Sequence, residues 1–328
     1  MNAHSSLFSP LNDSQVKLVL KELLNTAPIE YRLLSGGLFN TTYFVHTAEY
    51  GNIILRIGPI NRHLLLHFEH NMMEAEAIVY RLLAAHGIPS SELIAVDTSK
   101  TLIERDIMIV RHIPSTTYTL RREDSPFSLA DTDRLYRILG ENIAKLHQIE
   151  GPHFGHVYDV AKGVGTHRWS DFLKNELEQI IAQSAPYEIC TEQDHEDMRE
   201  ILHRYTPFLD EIDTPRLIHA DLGPNNLLIR NDKTPPEFAA FIDTDRAMWG
   251  DPDFDFAYME WMFCPSLWEG YGRALDDGEA SVCRRLIYRM IRFLCNAYVW
   301  EVEYNNHPNM CSTVKEIRLI IRQLNEKK

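Results

Sequence analysis

The chain has 328 residues, of which 45% are hydrophobic and 24% are charged, a balance typical of a globular protein with room for two lobes. Its formal net charge of −14 argues against a nucleic-acid partner, because contacts to a phosphate backbone need clustered Lys and Arg, and it is compatible with a cationic substrate. No apolar run approaches the roughly 20 residues of a membrane span and no secretion signal is evident, so we expect a cytoplasmic protein without a membrane partner.

The first predicted elements are a helix and two strands that enclose a glycine-containing loop. Apolar positions at helical spacing predict the helix over residues 14–24. Strands at residues 31–34 and 43–45 flank Gly36 and Gly37, which let the backbone approach a phosphate closely and adopt φ > 0. A Gly-Gly pair is also a common hairpin turn, so the pair alone does not decide between the two interpretations.

A single cation lies on the next predicted strand, residues 52–57. Alternation along the strand places Arg56 on the same face as Ile54. A charge on such an apolar strand calls for a partner, and the alternative is an edge-strand arginine that faces water. A helical pattern over residues 63–86 follows and ends at the stop signal Gly87-Ile88-Pro89.

Three histidines in this helical pattern have a spacing that could bind a metal ion. His63, His67 and His70 follow one another at i, i+4 and i+7 and would share one helix face. No fourth ligand is evident, so we interpret them as part of a mixed helix face and predict no metal site here.

The remaining pattern divides the chain into two lobes. Apolar runs at residues 92–97, 101–104 and 107–112 predict further strands of the N-terminal sheet, and long helical patterns dominate after them. We therefore predict an α+β protein with an N-lobe over residues 1–112 and a mostly helical C-lobe over residues 113–328.

The residues with the clearest chemistry surround a predicted β-hairpin in the C-lobe. Apolar runs at residues 227–229 and 238–242 flank a turn-forming segment. The expected register pairs Asn226 with Asp243 at the open end of the hairpin, next to the polar loop that carries Asp221.

Two carboxylates and an amide oxygen this close together need a counter-charge, because like charges repel and raise one another's pKa. A hard cation that prefers oxygen ligands and keeps several waters suits them. With a nucleotide phosphate as a further ligand, that cation is Mg²⁺. Such metals serve phosphoryl transfer, in which one carboxylate stays off the metal, orients the attacking hydroxyl and accepts its proton.

The motif His219-x-Asp221-x4-Asn226, followed by Asp243, resembles the aminoglycoside phosphotransferase and choline kinase family, whose members phosphorylate small molecules. With paired asparagines at residues 225–226 it looks closest to the hygromycin-type branch. The resemblance implies a bilobal protein-kinase-like fold with a small antiparallel sheet in the N-lobe. It also implies that Asp221 is the catalytic base, that Asn226 and Asp243 hold Mg²⁺, and that ATP or GTP donates the phosphoryl group.

The resemblance further implies an ion pair behind the nucleotide phosphates. Protein kinases carry a lysine at the position of Arg56, and a guanidinium can hold phosphate oxygens in its place. The family's helix glutamate is matched by Glu76, with Glu74 or Glu69 as the alternatives.

Other positions that the resemblance assigns to nucleotide binding lie at the two ends of the sheet. They are Gly36, Gly37 and Asn40 over the phosphates, and Val110 and His112 at the hinge, where backbone groups bind the base.

Two residues are expected to support the catalytic loop without taking part in chemistry. Asp255 matches a family aspartate that accepts backbone hydrogen bonds from below the loop, and His219 is assigned to the same support. A hydrolase built around His219 and Asp221 is a weaker alternative, because no nucleophile or closed metal-ligand set accompanies them.

Acids and aromatic side chains in the C-lobe are expected to bind the acceptor, because they suit an amine through ion pairing and cation–π contact. The candidates are Asp245, Glu260, Trp261, Trp268 and Tyr271. We predict an O-phosphotransferase that acts on a small-molecule hydroxyl, with an antibiotic favoured as the acceptor. The alternatives are a kinase of choline, homoserine or a sugar, and a nucleotide-binding protein without turnover.

Overall fold

The computed structural model describes residues 5–35, 39–117, 126–232, 234–258 and 265–327. The N-lobe contains a five-stranded sheet in the order β1-β2-β3-β5-β4, in which every neighbouring pair is antiparallel. Its strands are β1 (Pro28–Leu33), β2 (Thr41–Thr47), β3 (Gly51–Ile57), β4 (Leu93–Asp97) and β5 (Ile107–Arg111).

The two faces of this sheet pack against two helices. On β3, the alternate residues Ile53, Leu55 and Ile57 are fully buried in the cluster that includes α1 (Asp13–Leu24). Because side chains alternate along a strand, Arg56 lies on the opposite face, towards α2 (Met72–Ala85) and the C-lobe. The alternation that the sequence predicts for this strand is therefore present.

The helical pattern at residues 63–86 yields a shorter helix than predicted. Two 3₁₀ turns, Arg62–Leu64 and His67–Asn71, precede α2, and Leu65 and Leu66 between them have extended backbones. The break separates the three histidines, so they do not share one helix face. Their spacing in the sequence therefore does not identify the side chains that lie close together in the fold.

Two strand predictions also differ from the structure. Residues 101–104 form bends rather than a strand, after Lys100 with a left-handed φ of 60°. In the hairpin, the register shifts by one residue along the paired strands, so Asn226 lies opposite Ile242 and not opposite Asp243. The Ile242 N–H donates to the Asn226 carbonyl at 3.0 Å.

The C-lobe is built mainly from helices. They are α3 (Leu129–Leu146), α4 (Val157–Ala161), α5 (Trp169–Ser184), α6 (Glu192–Arg204), α7 (Thr206–Leu209), α8 (Asp253–Phe256), α9 (Pro265–Tyr271), α10 (Glu279–Tyr298) and α11 (His307–Glu326). Short strands form two three-stranded sheets, ordered β10-β9-β6 and β7-β11-β8. They are β6 (Thr116–Thr117), β7 (Gly155–His156), β8 (Arg216–Ile218), β9 (Leu227–Arg230), β10 (Glu237–Phe241) and β11 (Met248–Gly250).

A buried tryptophan joins three C-lobe elements. Trp169 at the start of α5 stacks on Phe172 with ring centroids 5.3 Å apart, and its indole N–H donates to the Tyr288 hydroxyl of α10 at 2.8 Å. Tyr288 in turn donates to Asp251 at 2.7 Å. The polar atom of the indole is thus satisfied inside an apolar core. None of the helices in the described ranges has the length and apolarity to cross a membrane.

Candidate active site

The catalytic loop starts where β8 ends, and buried contacts hold it. The Asp255 carboxylate accepts hydrogen bonds from the backbone N–H groups of His219, at 2.8 Å, and Ala220, at 2.7 Å. It also lies 3.0 Å from His147 Nε2. Burial raises the pKa of Asp255, but its hydrogen bonds and the neighbouring imidazoles outweigh burial and keep the pKa below its ordinary value.

This bracing stabilises a strained backbone. Ala220 has a φ of 60°, in the left-handed region that non-glycine residues rarely adopt. On the other side of the loop, His219 Nε2 lies 3.1 Å from the Ile242 carbonyl oxygen. The imidazole therefore ties the catalytic loop to the segment that carries Asp243.

Asp221 projects from the braced loop between two cations. Its carboxylate forms an ion pair with Arg292 of α10. Burial raises the pKa of Asp221, but Arg292 and then Arg246 lower it, and the net pKa lies below its ordinary value. The carboxylate therefore stays ionised near neutral pH, as a group that accepts a proton must.

Asn226 follows on the same loop and turns its amide nitrogen towards Asp221. The nitrogen Nδ2 donates to the Asp221 carbonyl oxygen at 2.7 Å and lies 3.2 Å from Oδ2 of the same residue. Because a backbone carbonyl can only accept, this contact fixes the orientation of the amide. The amide oxygen Oδ1 is left on the other side, where it can serve as a ligand.

Arg56 of β3 bridges the two lobes. Its guanidinium is ion-paired with Glu76 of α2 and donates to Asp243 Oδ1 at 2.6 Å. Glu76 is fully buried and also accepts a hydrogen bond from the Tyr80 hydroxyl at 2.6 Å. Arg56 therefore does not face water at a sheet edge.

The two other glutamates considered for this ion pair have different partners. Glu74 binds Lys162 at 3.0 Å, and Glu69 binds Arg246 at 2.7 Å. Arg246 comes three residues after Asp243 and brings a second guanidinium to the site.

Three carboxylates meet around Arg56, more than its single charge can balance. Oxygen atoms of Glu76, Asp243 and Asp245 all lie within 4.8 Å of one another. Burial, together with the charges of Asp243 and Glu76, raises the pKa of Asp245 well above its ordinary value. An excess of oxygen ligands and negative charge suits a hard divalent cation, so the donor set fits Mg²⁺.

Asp243 and Asp245 line a cavity of about 730 Å³ between the lobes, which we call the cleft. Its walls combine the charged groups with apolar side chains of both lobes, including Ile54, Val110, Leu228 and Ile242. Of the positions singled out in the sequence, the following line it: Asn40, Arg56, Val110, His112, Asp221, Asn226, Asp243 and Asp245. The buried oxygen Oδ1 of Asn40 has no hydrogen-bond partner among the described residues. Gly36 and Gly37 lie outside the described residues.

A second cavity of about 190 Å³ adjoins Asp221 on the C-lobe side. The side chains of Tyr258, Arg292 and Asn296 line it together with the catalytic loop. Within the described lining, Arg292 is the one cation.

The structure describes only some of the residues that are predicted to bind the acceptor. Glu260 and Trp261 lie outside the described residues. Trp268 and Tyr271, which are predicted to bind the acceptor, are partly buried and pack against Phe256 of the core, each with a centroid distance of 5.0 Å. The Tyr271 hydroxyl lies 2.9 Å from His147 Nδ1, behind the loop that Asp255 braces. Neither residue lines the two cavities at Asp221, and their part in acceptor binding stays a prediction.

Sequence reasoning missed the two arginines around Asp221. Arg246 carries a local signal, because it lies within the same motif as Asp243. Arg292 carries none, since it lies on a helix that is 71 residues further along the chain than Asp221.

Residues 30–292 match the model of the phosphotransferase enzyme family. The chain belongs to this family. The match confirms the predicted family and the predicted class of enzyme, a small-molecule kinase. No curated protein matches the chain.

Solved structures confirm the kinase-like bilobal fold. A streptomycin–ATP ternary complex of APH(2")-IIa has a TM-score of 0.65 at 15% identity and covers 96% of this chain and 97% of its own. A thermostable mutant of aminoglycoside phosphotransferase APH(4)-Ia, in a ternary complex with AMP-PNP and hygromycin B, has a TM-score of 0.65 at 17% identity, with coverages of 96% and 100%. A candidate fructosamine-3-kinase from Thermobifida fusca YX-ER1 has a TM-score of 0.66 at 16% identity, with coverages of 95% and 100%.

At these identities the three likenesses establish the fold of this phosphotransferase and not its acceptor. Their TM-scores of 0.65, 0.65 and 0.66 are also too close to one another to separate the branches of the family. The assignment to the hygromycin-type branch therefore stays a prediction.

Proposed function

We propose that this protein transfers the γ-phosphoryl group of ATP or GTP to a hydroxyl group of a small molecule. The observation that carries the proposal is the cleft, in which Asp221 and Asn226 of the catalytic loop and Asp243 of a later segment line one opening. Such a constellation suits phosphoryl transfer, where catalysis consists mainly of positioning and electrostatic stabilisation.

Asp221 is the group that orients the acceptor hydroxyl and takes its proton. Its pKa below the ordinary value supports this role, because a base must be ionised when the hydroxyl arrives. The bracing of the loop by Asp255 supports it as well, since a fixed carboxylate loses little entropy when it orients a substrate.

Asp243 and the Oδ1 of Asn226 are the proposed ligands of Mg²⁺, and Asp245 is a further carboxylate within reach of Asp243. When bound, Mg²⁺ neutralises the charge of the nucleotide's phosphate oxygens during transfer. Arg56 adds a fixed positive charge on the same side and is held in place by Glu76.

The nucleotide is proposed to lie along the N-lobe wall of the cleft. Ile54, Val110 and Leu228 offer apolar surface for a planar base, and Asn40 offers an amide oxygen that has no partner among the described residues. Both nucleotides remain candidates, since the structurally similar complexes contain ATP, AMP-PNP or GDP.

The acceptor is proposed to enter through the cavity beside Asp221, and an antibiotic is the first candidate. Three structurally similar complexes contain streptomycin, kanamycin or hygromycin B, and the acidic charge of the chain favours a cationic molecule. A metabolite is the second candidate, because the candidate fructosamine-3-kinase resembles this chain equally well in fold.

A panel of acceptors tests the proposal. Aminoglycosides, other antibiotics, choline, homoserine and sugar amines are each incubated with ATP or GTP and Mg²⁺, and phosphoryl gain is measured on the acceptor by mass spectrometry. We expect at least one acceptor to gain a phosphoryl group with the wild type and none with Asp221→Asn. Nucleotide binding without modification of any acceptor would instead favour a binding protein without turnover.

A further inference from the structure

Three side chains from distant segments converge at a point where the N-lobe meets the C-lobe. His67 lies before α2, His156 ends β7, and Glu176 lies in the middle of α5. His67 Nε2 is 2.9 Å and His156 Nε2 is 3.1 Å from the same carboxylate oxygen, Oε2 of Glu176. We call these three residues the histidine cluster. The side chains are 21%, 12% and 8% exposed, so the group is largely shielded from water.

A neighbouring glutamine determines which nitrogen of His67 carries hydrogen. Gln183 Oε1 accepts the backbone N–H of His67 at 2.9 Å, and Gln183 Nε2 donates to the Leu65 carbonyl at 3.3 Å. Backbone groups have fixed donor and acceptor roles, so the amide cannot be flipped. His67 Nδ1 lies 3.3 Å from Oε1, so the tautomer with hydrogen on Nδ1 gains a hydrogen bond to it.

In this tautomer the other ring nitrogen, Nε2, carries no hydrogen although it faces a hydrogen-bond acceptor. A neutral His67 with hydrogen on Nδ1 presents a lone pair at Nε2, which faces the Glu176 carboxylate at 2.9 Å. Two lone pairs at that distance repel each other. The repulsion is removed when Nε2 carries a proton, or when a metal ion lies between the two atoms.

The spacing of the three atoms suits a metal ion. Two imidazole nitrogens and one carboxylate oxygen form a common zinc ligand set, with bonds of about 2.0–2.2 Å, so neighbouring ligands of a tetrahedral ion lie about 3.3–3.6 Å apart. The observed separations of 2.9 and 3.1 Å need only a few tenths of an ångström of adjustment. The hydrogen bond from His67 Nδ1 to Gln183 is the outer contact that orients a metal-bound histidine.

The surroundings leave room for a fourth ligand. A cavity of about 30 Å³ borders His156 and Glu176, enough for one water molecule. Arg246 and Arg292 also line this cavity and would repel a cation, but each is already paired with a carboxylate, Glu69 and Asp221 respectively.

We propose that the histidine cluster binds one divalent transition-metal ion, with zinc as the best match. The ion replaces the proton that His67 would otherwise need, and it links the segment before α2 to α5 of the C-lobe. Glu69, two residues after His67, holds Arg246 in the cleft, so the ion also steadies one wall of the cleft. Mg²⁺ does not compete, because it prefers oxygen ligands. The proposal does not depend on phosphoryl transfer.

Zinc titration of the full-length protein tests the site. After chelator treatment and dialysis, we expect calorimetry without nucleotide to give one saturable equivalent of Zn²⁺. Binding should be lost in His67→Gln and His156→Gln, and weakened about 10–100-fold in Gln183→Ala, which removes only the outer contact. Matched controls are His63→Gln, an exposed histidine of the same segment, and His307→Gln, an exposed histidine 3.4 Å from Cys311. Both controls should bind zinc like the wild type.

X-ray absorption of the zinc-loaded wild type provides a readout that needs no variant. We expect two imidazole ligands, oxygen ligands and no sulfur. A sulfur ligand would show that the ion binds at a cysteine, such as Cys311 or Cys295 of the neighbouring cavity, and would overturn the proposed ligand set. Absence of a saturable equivalent, or binding that survives His67→Gln and His156→Gln in folded protein, would overturn it as well. With any of these results, the histidine cluster would hold a proton and not a metal ion.

Discussion

The two sides of the cleft differ in how far the charges of their carboxylates are balanced by cations. On the catalytic-loop side, a single carboxylate, Asp221, is influenced by two guanidinium groups, and its pKa lies below the ordinary value. On the opposite side, one guanidinium, Arg56, lies among three carboxylates, and the pKa of Asp245 is well above its ordinary value. The first side already holds an ionised carboxylate, whereas the second side lacks positive charge.

This difference indicates which side depends on an added cation. Asp221 needs none to stay ionised, because the protein itself supplies the compensating charges. The carboxylates around Arg56 are compensated only in part, so a divalent ion should bind there and not at Asp221. Substitutions on the two sides should consequently affect different steps.

The largest effect is expected from Asp221→Asn. The amide keeps the shape of the side chain but cannot accept a proton, so the turnover number should fall about 10²–10⁴-fold. The rate of acceptor phosphorylation measures the loss. Asp232→Asn, at an exposed aspartate of the hairpin turn, is the control and should keep the wild-type rate. Near-normal turnover in Asp221→Asn would exclude this residue as the base.

The next largest effect is expected from Asp243→Asn. Removing one carboxylate weakens the proposed metal site, and metal ions contribute several kcal/mol of transition-state stabilisation, which corresponds to about a 10²-fold loss in rate. The Mg²⁺ concentration for half-maximal activity should rise in this variant and stay unchanged in Asp232→Asn. An unchanged Mg²⁺ dependence would remove Asp243 from the metal site.

Asp255→Asn should act through the catalytic loop. It replaces a charged acceptor of two backbone hydrogen bonds, each of a type that stabilises by about 1.5–3 kcal/mol. We expect a lower free energy of unfolding and slower turnover, with little change in the Mg²⁺ dependence. Chemical denaturation measures the first and steady-state kinetics the second. A stable variant with full activity would show that the loop does not need this support.

The pH dependence of Asp255→Asn sharpens this test. The pKa of Asp255 is lowered on folding, so its contribution to stability is present above the unfolded pKa and is lost as the pH falls through the folded pKa. The stability difference between wild type and variant should therefore be largest near neutral pH and should shrink in acid. A difference that grows in acid would contradict the lowered pKa.

The smallest effect is expected from Arg292→Gln. Without this cation the pKa of Asp221 should rise, because Arg292 is the largest influence that lowers it. The acidic limb of the pH–rate profile should move to higher pH, while the rate well above that limb changes less. Arg322→Gln, at an exposed arginine of α11, is the control. A profile that moves to lower pH or does not move would show that Arg292 does not control Asp221.

The groups on short stretches of sequence could be predicted. Asp221 and Asn226 lie on one loop, and Arg56 follows from strand alternation alone. The family resemblance implies Glu76, at the matching distance before a helix stop, and its ion pair with Arg56 is present. In each case a local rule, such as strand periodicity or helix termination, fixes the position of the side chain.

The groups that depend on packing between distant segments could not be predicted. Arg292 reaches Asp221 from a late helix, and nothing in its neighbourhood of the sequence indicates this contact. The same limit applies to Trp268 and Tyr271, because an aromatic residue on a helix has the same pattern whether it packs in the core or lines a pocket. His67 was considered with the wrong partners for this reason, since His156 and Glu176 are brought to it only by the fold.

The most direct test of the different roles of the two sides of the cleft is nucleotide binding, measured by calorimetry with and without Mg²⁺. The wild type, Asp221→Asn and Asp243→Asn are compared in parallel. We expect Asp221→Asn to bind the nucleotide as the wild type does and to keep the full gain in affinity on adding Mg²⁺. Asp243→Asn should lose most of that gain. If Asp221→Asn lost the Mg²⁺ effect and Asp243→Asn kept it, the division of roles between the two sides of the cleft would be wrong.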